Sequence, residues 1–166
     1  LCGIVGVVNL NGNLPVGRSL LREMCDTLLH RGPDDYGLYI GIKAALGHRR
    51  LSIIDLSELA RQPMSNEDDT LWIVFNGEIY NFQGIKNGLI ERGHRFKTNS
   101  DTEVILHAYE EYGAGCVDKF IGMFAFAIWD SDRHELFCGR DRLGVKPLFY
   151  AQYNRQLLFG SEVKAL

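Results

Sequence analysis

Residues 123–129, Met123-Phe124-Ala125-Phe126-Ala127-Ile128-Trp129, form an uninterrupted apolar run bounded by Gly122 and Asp130. The run is too short for an ordinary helix and rich in strand-favouring aromatic and β-branched residues, so it predicts a buried central strand. Upstream, residues 70–76 (TLWIVFN) carry the same signal, and Gly77 is expected to close that strand. Downstream, residues 135–139, 148–152 and 157–160 read as short strands joined by Asp, Arg, Gly and Asn turns. At the other end, residues 3–10 (GIVGVVNL) predict a buried strand followed by an Asn11-Gly12-Asn13 turn. Residues 36–42 and 44–54 add two more strands, with a turn near Gly41, and residues 55–69 are expected to be a surface loop.

Three helices lie between these strands. Over residues 16–29, Leu20, Leu21, Met24, Cys25 and Leu28 recur at helical spacing, and Gly32-Pro33 ends the pattern. Residues 82–92 form the second helix, ended by Gly93. The third spans residues 101–112 behind Ser100, a good N-cap, with Glu103 at the capping-box position. Strands occur in runs and helices do not alternate with them. That order predicts an α+β fold of antiparallel sheets with helices on their outer faces, not a doubly wound parallel sheet. Neither a repeat nor a linker interrupts the chain, so residues 1–166 read as one domain.

Composition narrows the function classes. A hydrophobic fraction of 46% suffices for one core, and 18 Lys+Arg against 21 Asp+Glu leave a net charge of -3. That balance gives no electrostatic reason to expect nucleic acid or an anionic membrane as partner. No apolar run approaches the roughly 20 residues of a spanning helix. Residues 1–9 lack a basic leader and a cleavage site, and a cytoplasmic protein is expected. Cys25, Cys116 and Cys138 are widely spaced, outside any CxxC pair or zinc-ligand pattern, and are expected to be reduced apolar fillers.

Cys2 has a different potential. As a first residue, a cysteine carries a nucleophile and, in its α-amine of pKa about 7.7–8.0, a base. On its own, it reads first as a cysteine that opens a buried strand. Asn76 and Gly77 stand at the predicted end of a central strand, where an amide side chain and a neighbouring N–H can serve an oxyanion, although Asn-Gly alone is also a turn signal. An amino-acid substrate further requires an arginine fork for its carboxylate and carboxylates for its ammonium. Arg49 and Arg50 are adjacent in a strand and therefore face opposite sides, so one can enter a site while the other stays outside. Glu78 and Asp101 are the candidate carboxylates, Asp101 being otherwise an ordinary first-turn acid. His30 and His48 read as structural, and Arg31-Gly32-Pro33 as turn-forming. Asp141, Arg142 and Lys146 fit either a buried polar network or a surface facing another domain.

In order along the chain stand Cys2-Gly3-Ile4-Val5-Gly6, His30-Arg31-Gly32-Pro33-Asp34, His48-Arg49-Arg50-Leu51-Ser52-Ile53-Ile54-Asp55 and Gln62-Pro63-Met64. Asn76-Gly77-Glu78-Ile79-Tyr80-Asn81, Ser100-Asp101-Thr102-Glu103, Gly122-Met123-Phe124-Ala125-Phe126-Ala127 and Gly139-Arg140-Asp141-Arg142-Leu143-Gly144 follow. Together they resemble the class II glutamine amidotransferase domain, in particular the amino-terminal half of glutamine-dependent asparagine synthetases. The resemblance implies a four-layer αββα N-terminal-nucleophile hydrolase sandwich that hydrolyses glutamine to glutamate and ammonia. It implies Cys2 as nucleophile with its own α-amine as base, and an oxyanion hole from the Asn76 side chain and the Gly77 N–H. It selects Arg50 for the substrate carboxylate and Glu78 and Asp101 for the ammonium, with Leu51, Ile53 and Ile54 lining the pocket through their backbone.

The resemblance also implies a partner, an ATP-dependent synthetase domain of the same parent chain. No GxxxxGK[ST] loop or Ser-Gly-Gly stretch occurs here, so the domain is expected to need neither cofactor nor metal, ATP and Mg belonging to that missing domain. Relatives that amidate sugars or antibiotic precursors, and a non-catalytic domain of the same fold, are the alternatives. Family members normally begin Met-Cys. With Leu1 attached, the Cys2 nitrogen is an amide without a basic lone pair, so activity is expected only when Cys2 is the terminal residue.

Overall fold

A computed structural model of the chain describes residues 2–12, 15–51 and 61–166. Its strands are β1 (Gly3–Asn9), β2 (Asp35–Ile40), β3 (Ala44–Arg50), β4 (Met64–Ser65), β5 (Leu71–Ile79), β6 (Gly122–Asp130), β7 (Glu135–Arg140), β8 (Phe149–Tyr153) and β9 (Gln156–Gly160). The helices are α1 (Arg18–Thr27), α2 (Phe82–Glu91) and α3 (Asp101–Tyr112), and a 3₁₀ segment, Gly113–Lys119, continues α3. Two sheets result, one of five strands in the order β2-β3-β1-β9-β8 and one of four in the order β4-β5-β6-β7. Every pairing is antiparallel.

Strand alternation makes this a four-layer stack. Val5, Val7 and Ala45 pack outward against Leu21, Met24 and Cys25 of α1. Ile4, Val8, Ala44 and Leu46 point the other way and meet Val74, Ala125, Ala127 and Trp129 of the second sheet. On that sheet's far face, Ile73, Phe75, Phe124 and Phe126 pack against Val104, Ile105 and Ala108 of α3. Both sheets are therefore apolar on both faces in their centres, which is why 123–129 reads as an unbroken apolar run and not as an alternation. The α+β expectation of two antiparallel sheets between helical layers holds.

The departures are local. Gly77 does not close its strand; β5 runs on through Glu78 to Ile79 in unbroken register with Gly122. A Cβ on Gly77 would overlap the Met123 carbonyl oxygen and lie 2.7 Å from the Phe124 Cα, so glycine is needed there for close strand approach. The expected loop at 55–69 contains the two-residue strand β4, which pairs with Ile73 and Trp72. Strand β3 ends at Arg50, and the Ile53 and Ile54 expectations lie outside the described residues. The capping box is replaced as well. The Ser100 side chain accepts from Thr102 N, while the Glu103 carboxylate reaches back past Ser100 to Lys97 N and Thr98 N, each at 2.7 Å. All four cysteines are free, and Cys25 and Cys116 are buried. Cys138 is not a buried filler: it is exposed on β7, an edge strand paired on one side only.

Candidate active site

The hydrogen-bond parity of β5 decides which backbone groups are available. At one end of the β5–β6 ladder Ser131 N donates to Thr70 O at 2.9 Å, and at the other Tyr80 N donates to Ile121 O at 2.7 Å. Even-numbered residues of β5 therefore exchange bonds with β6, and odd-numbered ones turn their N–H and C=O to the opposite edge. Along that edge Ile73 faces Met64 of β4. Phe75 N donates to Gln62 Oε1 at 2.6 Å, and Ile79 N donates to Asp101 Oδ2 at 3.0 Å. Gly77 stands between these two satisfied amides. Its cross-strand neighbour Phe124 spends both backbone groups on Asp141, on the far side, so the Gly77 N–H has no ladder partner among the described residues.

Asn76 belongs to the even set. Its backbone joins the ladder opposite Ala125, and its side chain enters the layer between the sheets with Trp72 and Val74. The residue is 2% exposed, and its Nδ2 is buried without a hydrogen-bond partner among the described residues. A buried donor left unpaired costs about 1–3 kcal/mol. The two adjacent donors, one from a side chain and one from backbone, can together receive a negative oxygen.

The first sheet brings Cys2 and Arg50 to the same layer. Gly3 pairs with Arg49 and Ile4 with His48, so one further step places Cys2 across from Arg50. Cys2 shares parity with Ile4 and Val8, whose side chains enter the inter-sheet layer, and its Sγ is 4.0 Å from the Leu51 carbonyl oxygen. His48 is buried and opposite Ile4; burial pushes its pKa down to about 4, against the Phe75 bond and with the Arg50 charge adding to the effect. The ring is therefore neutral. Its Nε2 is 3.3 Å from the Phe75 oxygen, which can only accept, so the proton is on Nε2. This bond ties the strand bearing Arg50 to the strand bearing Asn76. Arg49 faces the other way: its Nε donates to Cys25 O at 3.2 Å and its Nη2 pairs with Asp26. The two arginines occupy opposite faces as their spacing requires.

Asp101 caps the end of β5 through the Ile79 N–H, next to the exposed Glu78. Burial holds the Asp101 carboxyl above the ordinary range; its backbone bonds from Ile79 and Thr102 oppose this, and the Glu78 charge adds to it.

Some contributors have roles that their motifs do not disclose. Gln62 bridges the β5 edge to α3, donating through Nε2 to Thr102 Oγ1 at 3.3 Å. Arg31 does more than shape a turn: its Nε donates to the Cys2 carbonyl at 3.2 Å and its Nη1 to Glu162 Oε1 at 2.9 Å. Gly32 next to it brings the chain so close to β3 that a Cβ would lie 2.6 Å from Arg50 N. Asp141 resolves as a structural node, its carboxylate accepting from Phe124, Val145 and Lys146 N–H groups. His30 meets Glu162, with Nε2 to Oε1 at 2.9 Å.

Among the described residues, His94, His107 and Glu110 form the group with metal-ligand types close together. Their nitrogens are already engaged: His107 Nδ1 bonds Glu110 at 2.6 Å and His94 Nε2 bonds Glu111 at 3.1 Å. This cluster borders α3 on the helical side of the second sheet, away from the inter-sheet layer that holds Asn76.

Comparison with known proteins agrees with the architecture and the ordered motifs. The family described as glutamine amidotransferase domain matches residues 1–166. Asparagine synthetase [glutamine-hydrolyzing] 3 of Bacillus subtilis is 46% identical over 168 residues, covering 100% of this chain and 27% of the relative. Asparagine synthetase B [glutamine-hydrolyzing] of Escherichia coli is 41% identical, covering 100% of this chain and 30% of the relative. The chain thus spans under a third of the length of these two relatives. Among solved structures, the glutamine phosphoribosylpyrophosphate amidotransferase of B. subtilis superposes with a TM-score of 0.80 at 21% identity, covering 98% of this chain and 42% of that one. With two antiparallel sheets between helices, and a full-length family match, the chain belongs to the glutamine amidotransferase domain family.

Proposed function

We propose that this domain hydrolyses the side-chain amide of glutamine and supplies the ammonia to an ATP-dependent asparagine synthetase domain of the same parent protein. The reaction begins when the Cys2 thiol proton moves to the α-amine of Cys2, present once Cys2 is the first residue. The sulfur attacks the amide carbon, and the resulting oxyanion accepts hydrogen bonds from Asn76 Nδ2 and Gly77 N–H. The carbon–nitrogen bond breaks as the α-ammonium returns its proton to the departing nitrogen, releasing ammonia and leaving a glutamyl thioester. Water then adds to the thioester with the same amine taking its proton. Glutamate departs and the thiol is restored.

Arg50 holds the substrate α-carboxylate through its planar fork, and Glu78 with Asp101 holds the α-ammonium. Backbone groups of Leu51, Ile53 and Ile54 line the pocket. In this reading the domain uses no cofactor or metal of its own, ATP and Mg acting only in the synthetase domain, and the protein works in the cytoplasm. The observation that carries the reading is the buried Nδ2 of Asn76, unpaired among the described residues, beside an edge amide that its own sheet leaves unused.

Glutamate release is to be assayed in two forms, one with Leu1 retained and one with Cys2 freed as the first residue. Release is expected only from the second. Equal rates would refute the α-amine as base, and labelling by a glutamine-like electrophile at a residue other than Cys2 would refute the whole scheme.

A further inference from the structure

After β9 the chain stays with β1 for one more residue. Ser161, fully buried, donates its N–H to Ile4 O at 2.9 Å and receives the Ile4 N–H on its Oγ at 3.0 Å. Glu162, next in line, is thereby delivered to the start of β1. Its Oε1 accepts from Arg31 Nη1 and from His30 Nε2, each at 2.9 Å, and its Oε2 lies 3.3 Å from Lys164 Nζ. The Arg31 side chain is only 12% exposed, and through Nε it grips the Cys2 carbonyl at 3.2 Å. A guanidinium is planar and rigid, so whatever fixes one of its nitrogens orients the others. Oriented in this way, Arg31 fixes the Cys2–Gly3 peptide, and with it the direction in which Sγ leaves the backbone.

We propose that Glu162 is a positioning residue for the nucleophile: it sets the plane of Arg31, and Arg31 holds the Cys2 carbonyl so that the sulfur faces the amide to be attacked. The idea rests on the reading of Cys2 as nucleophile. A salt bridge that served stability alone would be a modest one, because Glu162 is partly exposed and such pairs are worth about 0–1 kcal/mol. Positioning has a different signature, since misplacing a reacting atom by about 1 Å can cost up to 100-fold in rate. The groups proposed to bind glutamine are not in this chain of contacts, so affinity should be spared.

With Cys2 freed, the test compares the unsubstituted protein with Glu162→Ala, Glu162→Gln, Arg31→Ala and the Glu162→Ala/Arg31→Ala double variant. Glu162→Ala should lower kcat about tenfold or more with KM for glutamine within about twofold. Glu162→Gln, which keeps an acceptor for Arg31, should recover most of kcat. The double variant should be no worse than Arg31→Ala alone, because the carboxylate acts through the guanidinium. Hydrogen exchange of the Gly3 amide should quicken about tenfold in Glu162→Ala while β6 amides stay unchanged. Unchanged kcat, or effects that simply add in the double variant, would overturn the proposal. If even the unsubstituted protein releases no glutamate, the functional reading fails by itself. Gly3 exchange then decides the relay alone: faster exchange supports it and an unchanged rate refutes it.

Discussion

Replacing Asn76 with alanine should move activity and stability apart. The Nδ2 group sits in the inter-sheet layer, buried and unpaired among the described residues, and such a donor costs about 1–3 kcal/mol in the folded state. Alanine removes that penalty but leaves a small void, and voids cost about 24 cal/mol per Å³. The two effects oppose, so the net change in folding free energy should lie within about 1 kcal/mol of zero, a Tm shift of no more than about 2–4 °C for a domain of this size. Catalysis should respond very differently. Loss of one oxyanion donor typically lowers kcat by about 10²–10³, or about 2.7–4 kcal/mol. Phe124→Ala supplies the contrast, since that side chain is 2% exposed in the core of the second sheet and its truncation should cost about 3–5 kcal/mol. Glutamate release by the Cys2-terminal form and thermal denaturation followed by circular dichroism measure both quantities. A variant of Asn76 that loses as much stability as Phe124→Ala, or that keeps kcat within about twofold, would refute the assignment of this side chain as an unpaired oxyanion donor.

Gly77→Ala should instead damage both quantities, because the added Cβ meets the backbone of Met123 and Phe124; a loss of about 1–3 kcal/mol is expected in denaturant melts, together with most of the activity. Arg50→Ala should raise KM for glutamine about 10- to 100-fold with little change in Tm, while Arg49→Ala, whose partners are Cys25 O and Asp26, should lower Tm and leave KM alone. Two histidines should bound the pH range of stability from opposite sides. Burial lowers the pKa of His107, but bonds to Glu103 and Glu110 and the Glu67 charge outweigh this and bring it to about 9; its contribution is therefore full below 6.5 and lost as pH rises through 9. His48, at about 4, stabilises fully above 6.5 and loses that contribution as pH falls towards 4, so Tm profiles of His107→Gln and His48→Gln should flatten on the alkaline and the acid side respectively.

How much of this was legible beforehand follows from where each feature is encoded. The opposite facing of Arg49 and Arg50 needs only strand periodicity, and Arg49 lies against α1, bonded to Cys25 O and Asp26. Helix spacing likewise found α1, whose Leu21, Met24 and Cys25 are buried, although its ends were placed about two residues too far out. Gly77 was misread because glycine ordinarily breaks strands; here the requirement came from β6, a neighbour remote in sequence. The spacing of Glu103 from Ser100 fits a local capping box, yet the bonds that hold its carboxylate come from Lys97 and Thr98, with the buried His107 ring 3.9 Å away. Gln62 stands in the Gln62-Pro63-Met64 motif, yet neither its structural role nor that of Glu162 is encoded locally. Each acts by joining an edge amide or a guanidinium that only the folded register brings near, the latter across a separation of 131 positions.

The outer edge of β5 has one more consequence. Beyond Ile73 the strand leaves β4 behind, and a strand margin with no partner strand among the described residues is a template on which another chain can add itself and aggregate. Here the Phe75 amide is claimed by Gln62 and the Ile79 amide by Asp101, so an incoming polypeptide finds its first and third anchoring points taken. Among the described residues, what remains on this margin is the isolated Gly77 amide, too little for a foreign strand.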